Sequence, residues 1–230
     1  MKVRIVMAAI VLSIPAHAGL VITPQFDGTI TSQSVKDTIN AAIGVYEGMF
    51  SNNIDVNIYF QAFTANTGLG ESEVGRVYTP TYTQYYNDLV ATNANPTAIA
   101  SLGANTGKDP VIGATTILVK SADLRAVGDG AAVGLCFVTA GDTTPTTNAP
   151  NHCGTSGTNL VDGIITVNTN ITSPPNALVS GSTYSLTAVV EHEIDEVLGL
   201  SSALSNTNSS SGTVTNTRVL PEDLWRYNSA

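Results

Sequence analysis

The stretch Leu186-Thr187-Ala188-Val189-Val190-Glu191-His192-Glu193-Ile194-Asp195-Glu196-Val197-Leu198-Gly199 decides how this chain is read. Leu186, Val189, Val190, Ile194, Val197 and Leu198 recur at helical spacing, so at about 100° per residue they gather on one face of an amphipathic helix. With His192 set at zero, that face centres near about 150°, and Glu196 falls about 40° from His192, one turn along the same side. Those two side chains can reach one point in space. Glu193 lands near about 100°, at the rim of the apolar sector, where an ionised carboxylate is costly unless something requires it there.

A metal ion is such a requirement. A His and a second ligand at i and i+4 can hold the ion, while the Glu directly after the His acts on the water beside it as general base. The candidate site is therefore His192 and Glu196 as metal ligands and Glu193 as catalytic base. The plainer reading is an amphipathic helix with a solvated acidic face. It accounts for Glu191, Asp195 and Glu196 and leaves the inward-leaning Glu193 without a reason.

The wording Glu191-His192-Glu193-Ile194-Asp195-Glu196-Val197-Leu198-Gly199 resembles that of a family of secreted bacterial zincin-like metalloproteases in which an H-E-I-x-E-V-L-G form of H-E-x-x-H recurs. The likeness extends over Thr23-Pro24-Gln25-Phe26, Asp162-Gly163, Tyr184 and Pro221-Glu222-Asp223-Leu224-Trp225-Arg226-Tyr227, although only the motif is specific. It implies an α+β, zincin- or metzincin-like fold: a mixed twisted sheet with a long N-terminal helix and a central active-site helix. It also implies zinc. One imidazole with carboxylates is a harder donor set than three imidazoles, which leaves manganese and calcium open.

Zincins carry a second His where this chain has Glu196. Gly199 stands at the turn glycine of the longer metzincin motif, whose third-ligand position is here Ser202. Glu222 or Asp223 could supply the missing ligand, Asp223 being the preferred candidate, while the plainer reading of that segment is a short helix packed by Leu224 and Trp225. His152 reads as an exposed loop residue. In zincins the strand just before the active-site helix is the edge on which an extended peptide lies, a role that falls to Asp162 to Thr169. Members of the family continue past Tyr227, so a chain stopping at Ala230 is read as shortened or naturally minimal.

Of 230 residues, 43% are hydrophobic and 12% charged, which suits one domain of ordinary core size. Lys2 and Arg4, the apolar run Ile5 to Ile14 and Ala16-His17-Ala18 have the anatomy of a secretory signal peptide, so a mature start near Gly19 and a secreted, extracellular or periplasmic location are expected. The expected division is 1–18 signal peptide, 19–200 zincin-like domain, and 201–230 polar linker and C-terminal segment. No later stretch is long and apolar enough to span a bilayer. Losing Lys2 and Arg4 from the 9 basic residues, against 18 acidic ones, leaves no basic face for nucleic acid or anionic lipid. The expected partner is a protein or peptide substrate, and the chain is expected to be a monomer. Cys136 and Cys153 lie in the exported part, where an oxidising compartment favours a disulfide closing the polar loop between them.

Along the chain, Leu20-Val21-Ile22 predicts a short strand, Val35 to Phe50 a second strong helix, and the alternation of Ile54, Val56, Ile58 and Phe60 a half-buried strand. Thr64 to Gly75 reads as a loop. Helices follow over Thr81 to Ala91 and after Asn95-Pro96, a strand over Thr115 to Val119, helical turns over Ala122 to Val127 and a strand holding Cys136. Tyr78, Tyr82, Tyr85 and Tyr86 read as packing residues rather than a cleft lining. No G-x-S-x-G elbow occurs, and the carboxylate spacing identifies no sugar subsite. Two functions of different kinds remain: a secreted metal-dependent peptidase, or a zincin-like protein without catalysis that serves as an extracellular binding or surface protein.

Overall fold

A computed structural model describes residues 19–74, 77–92, 95–130, 132, 134–136, 160–175, 183–203 and 218–225. The expected signal segment, His152, and Cys153 with its expected pairing to Cys136, lie outside the described residues. In chain order the elements are β1 (Val21–Phe26), α1 (Gln33–Met49), β2 (Asp55–Phe63), β3 (Gly70–Val74), β4 (Val77–Tyr78), α2 (Tyr82–Thr92), α3 (Pro96–Ser101), β5 (Val119–Lys120) and α4 (Ser121–Ala126). They continue with β6 (Leu135–Cys136), β7 (Leu160–Val161), β8 (Gly163–Asn168), β9 (Thr172–Ser173), β10 (Tyr184–Ser185), α5 (Leu186–Leu198) and a 3₁₀ turn, Pro221–Trp225.

The fold is mixed α and β around a four-stranded mixed sheet in the order β1-β2-β8-β3. β1, β2 and β8 run parallel, and β3 is antiparallel to β8. Val56, Ile58 and Phe60 alternate along β2 and are fully buried on the face that α1 and α5 cover, together with Ile165 and Val167 of β8. Ile164 turns to the other face and packs with Val161 and Tyr59. A strand buried on both sides reads as a near-continuous apolar run, and Ile164-Ile165 with Val167 is such a run. α5 comes close to the sheet at Gly163, where a Cβ would stand 2.5 Å from a Val197 methyl.

The sheet corrects two expectations. Asp162 to Thr169 does not form an edge: β8 lies between β2 and β3. Among the described residues the edges are β1 and β3, and the one that lies beside α5 is β3, in a stretch read as loop. Gly70-Glu71-Ser72-Glu73-Val74 has no apolar alternation and contains residue types depleted in strands, so it carries no local strand signal. Pairing with β8 makes it a strand, and its charged residues suit an edge position.

Tyr82, Tyr85, Ile117, Val119 and Leu124 form a second core, in which Val219 and Leu224 are fully buried. Leu118 N–H donates to the Val219 carbonyl at 2.9 Å, and the Trp225 indole N–H to the Ala98 carbonyl at 2.9 Å. Residues 219–225 are thus part of the packed structure, with Leu224 and Trp225 among its packing residues. Tyr82 and Tyr85 are core residues, 1% and 2% exposed. Among the described residues no helix is long and apolar enough to cross a membrane.

Candidate functional site

α5 begins at Ser185, whose side chain accepts a hydrogen bond from Ala188 N–H at 3.3 Å and so satisfies one of the free donors of the first turn. It ends at Gly199, whose φ of 111° lets the chain leave the helix. A Cβ at Gly199 would also lie 3.1 Å from that of Asp123 on α4, so both backbone angle and space call for glycine there. Leu186, Val190, Ile194 and Val197 anchor one face of the helix in the core. Deep burial of those residues fixes the rotation of α5 and therefore where the polar side chains point.

His192 and Glu196 emerge on the open side, their side chains 69% and 37% exposed, with His192 Nε2 3.7 Å from Glu196 Oε1. The other Glu196 oxygen, Oε2, accepts a hydrogen bond from Ser72 Oγ of β3. Glu193 is instead 5% exposed. It lies against Gly70, where a Cβ would stand 2.7 Å from Glu193 Oε1 and 2.7 Å from a Val189 methyl. Successive inward positions of the edge strand, Gly70 and Ser72, thus receive the two carboxylates of the motif.

Burial is the main cause that raises the Glu193 carboxyl above its ordinary value, and Glu196 adds to it. His192, Ser72 and, in the raising direction, Glu71 act more weakly. A raised carboxyl suits proton exchange near neutral pH better than an ordinary one.

Two residues that sequence reasoning did not single out hold α5 in place. The Tyr46 hydroxyl of α1 lies 2.7 Å from both Asp195 Oδ1 and the Glu191 carbonyl oxygen, so its one proton is shared between them. Lys120, 7% exposed, donates from Nζ to the Glu196 carbonyl, placing a cation at the negative end of the helix. Burial lowers the Lys120 ammonium, while Glu196 and Asp123 support its charge. Tyr46 fits the apolar stripe of α1 and Lys120 follows a strand, so neither has a local signal for its contact with α5.

Asp223 does not join the pair. It is fully buried and accepts from Ser202 Oγ at 2.5 Å and from Ala203 N–H and Leu220 N–H, each at 3.0 Å. Ser202, at the motif's third-ligand position, and Asp223, the preferred candidate, are bonded to one another and pin the loop that leaves α5. Glu222 is exposed. Among the described residues no group of three His, Cys, Asp or Glu side chains converges on one point.

The His192–Glu196 pair itself fits a metal ion. Ligand atoms at about 2.0–2.2 Å from a tetrahedral zinc stand roughly 3.4 Å apart, close to the separation of Nε2 and Oε1. Ser72 holds the far oxygen of Glu196, as the outer partners of ligating carboxylates do. An apolar cavity of about 380 Å³ opens beyond the last turn of α5, lined by Leu20, Phe50, Leu89, Leu198 and Trp225 among others, and none of His192, Glu193 or Glu196 lines it.

Compared with protein-family models, with curated proteins and with solved structures, the chain finds no match in any of the three.

Proposed function

We propose that this chain is a metal-dependent peptidase of zincin type, with His192 and Glu196 as protein ligands of a divalent ion, zinc by first choice, and Glu193 as general base. The observation that supports it is the division of labour on one helix: two donors exposed at chelating distance, and between them in sequence a carboxylate buried against a glycine of the edge strand. Among the described residues no Lys or Arg forms an ion pair with Glu193; a buried carboxylate without such a partner is a burden to the fold, and such groups concentrate where chemistry needs them.

When bound, the ion supplies Lewis-acid polarisation of the substrate carbonyl and acidifies a water molecule. Glu193 takes a proton from the attacking water at its carboxylate and hands it to the amine nitrogen that leaves, so that water is added across the peptide bond. Ser72 keeps Glu196 from rotating. β3, rather than β8, offers the open sheet edge on which an extended peptide can pair. The buried environment of Glu193 limits competing hydration of its charge.

The test uses metal-loaded full chain with a peptide library. Wild type should carry about one divalent ion and cleave, and Glu193→Gln should keep the ion while losing about 10²- to 10⁴-fold in rate. A wild type that takes up no zinc, or a Glu193→Gln variant that cleaves equally well, overturns the proposal. One observation favours a second reading, an extracellular binding protein of the same fold: the described residues give the ion two donors and no third. That reading expects peptide binding without turnover.

A further inference from the structure

We infer that the β3 edge selects extended peptides carrying two basic side chains two residues apart, an inference that rests on the peptidase reading for the site but concerns the part of β3 turned away from it. In the β3–β8 ladder Asn168 N–H donates to the Leu69 carbonyl, which flanks the Gly70↔Val167 pair. That bond makes Gly70↔Val167 a non-hydrogen-bonded pair, and the alternation then assigns Glu71 and Glu73 to the hydrogen-bonded pairs with β8. The backbone N–H and C=O groups of Gly70, Ser72 and Val74 consequently turn outward, toward the edge of the sheet. They are what an incoming strand would bond.

An antiparallel guest strand bonded to Gly70, Ser72 and Val74 meets Glu71 and Glu73 in its non-hydrogen-bonded positions. Those are the positions where Cα atoms come closest and facing side chains interact most. Guest residues opposite Glu71 and Glu73 project to the same face as the two carboxylates, and the residue between them projects to the face of α5. Both carboxylates are exposed, and no Lys or Arg among the described residues pairs with either. Two residues apart on one face of the strand, they crowd each other as like charges do, and burial and then Glu71 raise the Glu73 carboxyl. A guest with Lys or Arg at both facing positions relieves that crowding; one with Glu there adds to it.

The experiment follows binding and cleavage separately. Dye-labelled ten-residue peptides of one Val/Thr background, with Lys-x-Lys, Gln-x-Gln or Glu-x-Glu at the centre, are titrated against zinc-loaded full chain by fluorescence anisotropy, and their cleavage is followed in parallel. Binding should rank Lys, then Gln, then Glu, by roughly 1.5- to 5-fold per position, and the ranking should flatten at high salt. Glu71→Gln with Glu73→Gln should level it, and Glu71→Lys with Glu73→Lys should invert it, which damage to the strand would not do; melting curves confirm that the variants fold. Cleavage without a charge ranking overturns this inference and leaves the peptidase reading standing. A charge ranking that inverts as expected, with no cleavage of any peptide, keeps the inference and removes the peptidase reading.

Discussion

Gly70 and Glu193 occupy one another's space: the carboxylate of α5 rests where the strand residue would have its side chain. Gly70→Ala must push both Glu193 and the stiff Val189 side chain, whose methyl is equally close. Overpacking of this kind costs about 1–3 kcal/mol. The expected result is a lower urea midpoint together with a fall in peptide cleavage, while zinc content stays that of wild type. A variant of unchanged stability and activity would mean that Glu193 relaxes freely and is not held for a purpose.

Ser72 offers a test of the proposed ligand role of Glu196 that leaves both His192 and Glu196 in place. Ser72→Ala removes the hydrogen bond that fixes Glu196 Oε2. Loss of an outer partner of this type lowers metal affinity by about 10- to 100-fold. Competition with a chelator of known affinity measures it, and an unchanged affinity would separate Ser72 from the metal centre.

Asp223 should behave as a structural residue. Asp223→Ala removes the acceptor for Ser202, Ala203 and Leu220 at a fully buried position. Hydrogen bonds to a charged group contribute about 1.5–3 kcal/mol each at most, so a loss on the order of 3 kcal/mol is expected in chemical denaturation. Zinc stoichiometry of the folded fraction should not change. A variant with normal stability and no metal would restore Asp223 as a ligand.

A stability slope with pH should come from Asp123. Burial, the largest cause, pushes its carboxyl up to about 7, against the Tyr85 hydroxyl at 3.3 Å and Lys120, which both pull it down. An unfolded Asp titrates near about 3.9. Between those values the folded chain holds a proton that the unfolded chain has released, so stability grows as pH falls from the folded value toward the unfolded one. That contribution is lost as pH rises through the folded value. Urea midpoints of wild type should be higher at pH 5 than at pH 8, and Asp123→Asn should flatten the difference. A slope that survives the substitution belongs to other groups.

Much of the architecture was legible because several local signals agreed. α5 combines a helical apolar stripe with a Ser185 cap and a Gly199 stop, and β2 alternates over its first half. β3 was illegible because an edge strand needs no apolar side and its residues are individually poor strand formers. Assigning the edge to Asp162 to Thr169 followed the resemblance, whereas Ile164-Ile165 itself speaks for a strand covered on both faces. At the site, helical geometry was enough to separate Glu193 from His192 and Glu196. Contacts made across long stretches of sequence, Tyr46 with Asp195, Lys120 with Glu196 and Ser72 with Glu196, leave no trace in local pattern.

The place of β8 between β2 and β3 also dictates a timetable. β2 and β3 follow one another in the chain yet do not touch in the sheet, and the strand that joins them is made much later. As synthesis proceeds from the N-terminus, β2 has β1 on one side and a flank of unpaired backbone N–H and C=O groups on the other until Gly163 to Asn168 emerge. Assembly of the sheet therefore waits on a contact far apart in sequence, the kind that slows folding and prolongs exposure of an unpaired strand. Helper proteins that hold nascent chains should engage this interval, and fragments ending before β8 should aggregate rather than fold.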